Sequence, residues 1–268
     1  MTISQMHEWF RQYAQQMGMQ NVRAILPEQI DILINTSISD ITNQVIAQNI
    51  ASTNDRIITD NSKINQINAL STLYKVAHIV ATPSTTSSTT NPFKESTDTL
   101  TYKISGKLST FKDDGNKDLN YLYLVDLSLN YKISNKVTNY FPVRLIDDVF
   151  LADTLNDFIL KPKLRSPIAV IYNGSLDIYI TDNLANGKLP DSIVPEKLRL
   201  SYIARPAKVQ YKSDLGQLDI DCDLPEYLHI DVLKRAVDLY RISVSGGLHS
   251  AQQASNTDNT NNTDNNNN

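Results

Sequence analysis

Apolar residues recur at three- and four-residue steps near both ends of the chain, and at every second residue through its middle. Ile3, Met6, Phe10, Tyr13 and Met17 form one stripe, the spacing of a helix with one buried face. Thr2 or Ser4 suits its N-cap and Gly18 its end. A second helix is expected from Pro27, with Glu28 and Asp31 in the first turn, where the helix dipole favours acids, and Ile30, Ile34, Ile38, Ile41 and Val45 as its stripe. Ile64, Ile67, Leu70, Leu73, Tyr74 and Ala77 predict a third helix.

The middle reads as strands. Leu100, Tyr102, Ile104 and Leu108 alternate with polar residues around Gly106, and Asp113-Asp114-Gly115-Asn116 is a turn signal. Tyr121, Tyr123, Val125, Leu127, Leu129 and Tyr131 alternate strictly, as expected where one sheet face is buried. Val137 to Arg144 predicts another strand. Asp147 to Phe158 predicts a short helix with Val149, Leu151, Leu155 and Phe158 as its apolar set. Ile168–Tyr172 and Leu176–Thr181 flank Asn173-Gly174, the preferred pair for a type I′ hairpin turn. Leu198, Leu200 and Tyr202 lead to Arg205-Pro206, where a proline should end the strand. A last helix opens at Pro225 and Glu226. It carries Leu228, Val232, Leu233, Ala236, Val237 and Tyr240 on one side, and Ser245-Gly246-Gly247 should end it.

The expected fold is α+β. It has an N-terminal helical region (1–80), a Ser/Thr/Pro linker (81–97), a central antiparallel β-sandwich-like body (98–223), a C-terminal amphipathic helix (224–247) and a disordered Asn-rich tail (248–268).

Composition narrows the function. The net charge of −4 gives no general attraction to nucleic-acid phosphates. The single cysteine, Cys222, excludes an intrachain disulfide. The opening Met1-Thr2-Ile3-Ser4-Gln5 has no basic region and no following apolar run, so no signal peptide is expected, and no stretch is apolar enough to span a membrane. The helix faces carry Gln15, Gln16, Asn35, Thr36, Ser39, Asn43, Gln44 and Gln48 where Glu and Lys are usual. Faces without charge lack the repulsion that keeps surfaces apart, so packing against other subunits is one reading and an ordinary solvated face the other.

Motifs for catalysis are missing. His7, His78, His229 and His249 are scattered, with no metal-ligand spacing. Asp219, Asp221 and Asp223 are spaced like the start of a calcium loop, but Leu224 stands where that loop needs glycine and Ile230 where it needs glutamate. Asp114, Asn116 and Asp118 fail similarly, with Val125 at the twelfth position. Cys222 lies between Asp221 and Asp223, which disfavour a thiolate. Asp147-Asp148 is an adjacent acid pair of the kind that precedes a helix. There is no Walker A loop, no Gly-x-Gly-x-x-Gly and no Gly-x-Ser-x-Gly. The expectation is a protein that is not an enzyme, with no cofactor and no metal.

Three stretches carry a family likeness. They are the opening Met1-Thr2-Ile3-Ser4-Gln5-Met6-His7 followed by Leu26-Pro27-Glu28-Gln29-Ile30-Asp31-Ile32-Leu33-Ile34-Asn35, Leu200-Ser201-Tyr202-Ile203-Ala204-Arg205-Pro206-Ala207-Lys208-Val209, and Leu224-Pro225-Glu226-Tyr227-Leu228-His229 running into Val232 to Tyr240. Their residues and order resemble the ring proteins of the head-to-tail connector and tail of crAss-like tailed bacteriophages. The resemblance covers about a quarter of the chain. The linker at 84–90 and the Asn-rich tail depart from it.

The resemblance implies a structural virion protein, assembled in the host cytoplasm, that forms a homo-oligomeric ring, a dodecamer. The ring would stack between the portal and adjacent tail ring proteins, and DNA and ejected proteins would pass through its lumen without specific binding. Its contacts would come from the terminal helices, with Met6, Trp9, Phe10, Tyr13, Ile30, Ile34, Leu228, Val232 and Tyr240 as the candidate subunit or ring–ring interface. The alternative is a β-sandwich host-attachment or glycan-binding protein that uses Tyr121, Tyr123 and Tyr131 as a stacking platform. A hydrolase built on Asp147 or Asp221 is a third reading.

Overall fold

The computed structural model describes residues 1–18, 25–49, 68–83, 92–96, 101–112, 117–181, 189–190, 192–212 and 218–260. The Asp113–Asn116 turn, the Ser/Thr stretch 84–91 and tail residues 261–268 lie outside them. The fold is α+β, with N-terminal helices, two central sheets of antiparallel-rich strands and a C-terminal helix. The chain forms two compact units, Met1–Ser52, Ile67–Thr72 and Pro206–Asn268 in one, and Thr53–Gln66 and Leu73–Arg205 in the other.

In the helical unit, α1 (Ile3–Gln16) starts at Thr2, whose hydroxyl accepts the Gln5 amide while the Gln5 side chain accepts the Thr2 amide. This capping box satisfies donors that the first turn cannot pair. Helix α2 (Pro27–Asn49) has Ile30, Ile34, Ile38 and Ile46 buried. The long C-terminal helix, named α4 below, spans His229–Thr260, packs on α1 and α2, and buries Val232, Leu233, Ala236 and Val237. It runs through Gly246 and Gly247 and does not end there. A helical glycine costs about 1 kcal/mol relative to alanine but keeps its N–H in the ladder, as proline does not. The expected boundary at 247 therefore moves to Thr260.

The β unit is a sandwich. One sheet runs β1 (Tyr74–Val80), β10 (Ile193–Ala204), β4 (Tyr121–Ile133), β5 (Lys136–Val137), with β6 (Phe141–Pro142) also on β4. The other runs β2 (Phe93–Ser96), β3 (Tyr102–Lys107), β9 (Ser175–Thr181), β8 (Ile168–Tyr172), β7 (Arg144–Leu145). Their inner faces share one core, in which Ile79, Leu129, Tyr131 and Leu200 meet Phe93, Ile104, Ile178 and Ile180. Burial of such side chains, about 1.5–3 kcal/mol each, is the main stabilising contribution. Asn173 and Gly174 both have positive φ, as a type I′ turn requires.

Four sequence expectations are corrected. The predicted third helix is strand β1 in its described part, because Ala77, Ile79 and Ala81 alternate into the core and pairing with β10 decides the outcome. Strand β2 occupies part of the expected linker. The predicted strand Val137–Arg144 is broken into β5, β6 and β7, so the chain crosses from one sheet to the other there. Residues from Pro206 belong to the helical unit and not to the β body. Their backbone pairs mainly with side chains: Asp223 accepts the Ala207 amide, Asp31 the Tyr211 amide and Asp219 the Lys212 amide.

The alternation of β4 is also interrupted. Ser201 pairs with Asp126 but Tyr202 with Leu124, so Val125 is an extra residue, a β-bulge. Leu124 then turns toward the core and Tyr123 is exposed.

Short α3 (Leu151–Asn156) follows a single 3₁₀ turn at Asp148–Phe150. Only part of its predicted apolar set is packed. Leu151 and Leu155 sit on Ile168, Val170 and Tyr179, whereas Val149 and Phe158 are 84% and 81% exposed.

Candidate functional site

Each acid of the triad Asp219, Asp221 and Asp223 holds a backbone amide. Asp219 accepts from Lys212 at 2.8 Å, Asp221 from Ile3 at 2.7 Å and Asp223 from Ala207 at 3.1 Å. The Asp221 contact places a carboxylate at the N-terminus of α1, where unpaired amides and the helix dipole favour it. The three carboxylates are each spent on a backbone amide, two in the 206–212 segment and one at the start of α1. Among the described residues no group of His, Cys, Asp and Glu is arranged to hold a metal. Burial pushes the Cys222 thiol up; the Leu224 amide opposes this, and Asp223 and Asp221 add to it. Asp147 and Asp148 lie exposed on the surface.

Two polar clusters, each centred on a buried aspartate, are the strongest chemical features. In the helical unit His7 Nε2 lies 2.8 Å from Asp31 Oδ1, Asp31 accepts the Tyr211 amide at 3.1 Å, and the His7 ring stands 4.9 Å from that of Tyr211. In the β unit Lys103 Nζ donates to Asp177 Oδ2 at 2.6 Å, and Tyr172 donates to the same oxygen at 3.1 Å. Burial lowers the Lys103 pKa, but the hydrogen bond and charge of Asp177 outweigh it and hold it above the usual lysine value. Both tie separate elements together: α1, α2 and the 206–212 segment in one, β3, β8 and β9 in the other. Sequence reasoning assigned none of these contacts; apart from Tyr172–Asp177, five residues apart across the β8–β9 turn, their partners are at least 24 residues apart.

An open groove of about 490 Å³ between α2 and α4 is lined by Asp40, Ile41, Asn43, Gln44, Asp231 and Arg235. Its cation is already engaged, since Arg235 donates to Asp40 at 2.9 and 3.2 Å.

The expected interface residues separate into two groups. Met6, Phe10, Ile30, Ile34, Leu228 and Val232 are buried within the folded chain, so as folded they offer no surface to a second subunit. An apolar helical stripe identifies what is buried without saying whether the partner is the same chain or another. Trp9 is 44% exposed and pairs with half-buried Tyr13 at 5.6 Å, while half-buried Tyr240 leans on Phe10 at 6.0 Å. The tyrosine platform is also corrected, because Tyr131 is fully buried. The polar residues of α2 are in part internally satisfied: Ser37 and Thr42 are buried and donate to the carbonyls of Leu33 and Ile38.

The surface also presents apolar side chains. Ile32 on α2 and Ile230, Ile242 and Val244 on α4 point outward in the helical unit. In the β unit Val149, Phe150, Phe158, Ile159 and Leu160 are exposed within twelve residues of sequence. No described helix is long and apolar enough to cross a membrane. No protein-family model matches the chain, and no curated protein matches it either.

Proposed function

We propose that this chain is a structural virion protein that forms a homo-oligomeric ring in the head-to-tail connector or tail of a tailed phage, part of the conduit for DNA and protein ejection. The three family-like stretches suggest the ring. Two of them are the starts of α2 and α4, helices that pack together. The observation that carries the assembly reading is the outward placement of Trp9, Ile32, Ile230 and Ile242 on helices whose opposite faces already fill the core. Outward apolar side chains mark a surface that another protein covers where they form one contiguous patch, which is the arrangement proposed for these four. The mild negative charge suits a lumen through which a polyanion slides without being held.

Native mass spectrometry of the full chain, alone and with neighbouring virion proteins, tests this. A closed homo-oligomer is expected, a dodecamer by the family likeness. A species that is monomeric in both conditions sinks the proposal. Deleting the N-terminal helices would not be informative, because they share a core with α4. Ile32→Asp and Ile230→Asp are the suitable variants. Both positions are exposed, so each should weaken assembly while leaving the melting temperature within about 2 °C.

A further inference from the structure

We infer that residues 147–160 are an assembly arm that docks on the β4–β5 hairpin of a second copy of this chain, an inference that rests on the ring reading. The arm leaves the sandwich after β7 and presents Val149, Phe150, Phe158, Ile159 and Leu160 to solvent. These side chains offer on the order of 600 Å², most of the roughly 800 Å² that each partner of a stable interface buries.

The arm is built, not loose. Leu151 and Leu155 anchor it on Ile168, Val170 and Tyr179. Thr154 donates to the Phe150 carbonyl at 2.6 Å. The Asp157 carboxylate accepts the Ile159 and Leu160 amides at 2.6 and 3.0 Å, and the Arg144 guanidinium donates to the Leu160 carbonyl. Lys161 Nζ lies 5.3 Å from the centre of the Phe158 ring. Three consecutive apolar side chains are thus held outward by a turn that their own backbone amides secure. A contact element ordered before docking loses little entropy on binding.

Charge indicates what the arm meets. Residues 147–157 carry Asp147, Asp148, Asp153 and Asp157, all exposed, and no basic residue. The preceding stretch, 127–146, holds Lys132, Lys136 and Arg144 and no acid. In it the β4–β5 hairpin turns at Ser134 and Asn135, both with positive φ, and exposes Ile133 and Val137 beside Lys132 and Lys136. Among the described residues neither lysine is in an ion pair. One chain therefore carries an acidic apolar arm and a basic apolar tip, both uncovered, so they do not satisfy each other within the chain. Arm-to-tip docking is a heterologous contact, the kind that closes into a ring when repeated. Apolar burial would supply the affinity, and the charges would set register and exclude tip-to-tip pairing.

The test uses the full chain in sedimentation velocity and native mass spectrometry, with far-UV circular dichroism as the folding control. The arm variant Phe158→Asp/Ile159→Asp and the tip variant Lys132→Glu/Lys136→Glu are each expected to weaken self-association by roughly tenfold or more. Mixed one to one, they should form a dimer, because the intact arm of one fits the intact tip of the other. Adding Asp147→Lys/Asp148→Lys to the tip variant should restore assembly. If the arm variant assembles like the parent chain, the inference is overturned while the ring reading stands. A mixture that stays monomeric overturns the arm-to-tip pairing. A parent chain that is monomeric even with virion proteins overturns both.

Discussion

Two residues of the sandwich core show how closely it is fitted. The Tyr131 ring is fully buried and its hydroxyl has no hydrogen-bond partner among the described residues. A buried hydroxyl without a partner costs about 1–3 kcal/mol. Tyr131→Phe keeps the ring and removes that cost, so it should raise stability by about 1 kcal/mol in a urea titration; a loss of stability would mean the hydroxyl is paired. Gly106 is the opposite case. A Cβ there would stand 2.7 Å from Phe111 Cε1 and 3.0 Å from Phe93 Cδ1, and both rings are fully buried. Neither can swing into solvent, so Gly106→Ala should cost about 1–3 kcal/mol by overpacking, measured in the same titration. Gly106 is a requirement of close approach, since no positive φ is involved.

Among the elements, legibility in the sequence followed locality. Helix α1 could be read because its cap, stripe and terminating glycine lie within eighteen residues. The β8–β9 hairpin could be read because Asn173-Gly174 forces the turn locally. Strand β1 could not, since Leu73, Tyr74 and Ala77 fit a helical period as well as a strand, and its pairing with β10 lies more than a hundred residues away. The candidate contact residues were legible as apolar but not as buried in the same chain, because periodicity does not name a partner. Asn35 makes the same point. Among the polar residues of α2 it fitted a solvated face or a contact with another subunit, yet its side chain donates to the Val209 carbonyl at 3.0 Å and accepts the Val209 amide at 2.8 Å. It thus holds an extended segment as a neighbouring strand would. Asn35→Ala removes both bonds and should cost about 1–3 kcal/mol. Amide exchange at Val209 should quicken with it, and unchanged protection there would show that the pair is not holding the segment.

The molecule's response to pH draws these parts together, since its resolved shifts fall mostly on one side. Burial raises the pKa of Tyr131, and burial followed by the charge of Glu95 raises that of Tyr102. Burial raises Tyr179 as well, and the Asp177 carboxylate raises Tyr172. Lys103 is raised through the same carboxylate, which outweighs its burial. All five belong to the β unit. A group whose pKa is higher when folded contributes stability that is complete below its unfolded value. That stability is lost as pH climbs through the window between the two values, because the unfolded chain releases the proton first. The window opens at the ordinary tyrosine and lysine values of 10.0 and 10.5. For Tyr131 alone the slope approaches about 1.4 kcal/mol per pH unit above that point. Asp157 has the opposite sign: the Leu160 and Ile159 amides lower its pKa, so its contribution is present above the ordinary value of 3.8 and is lost as pH falls through the folded value. The β unit should therefore hold its stability from neutral pH to about pH 9 and weaken steeply beyond pH 10. Urea midpoints from pH 7 to 11.5, followed with tyrosinate absorbance, would check this. The Tyr131→Phe chain should show the shallower alkaline decline, and parallel declines in the two chains would show that Tyr131 ionises freely in the folded state.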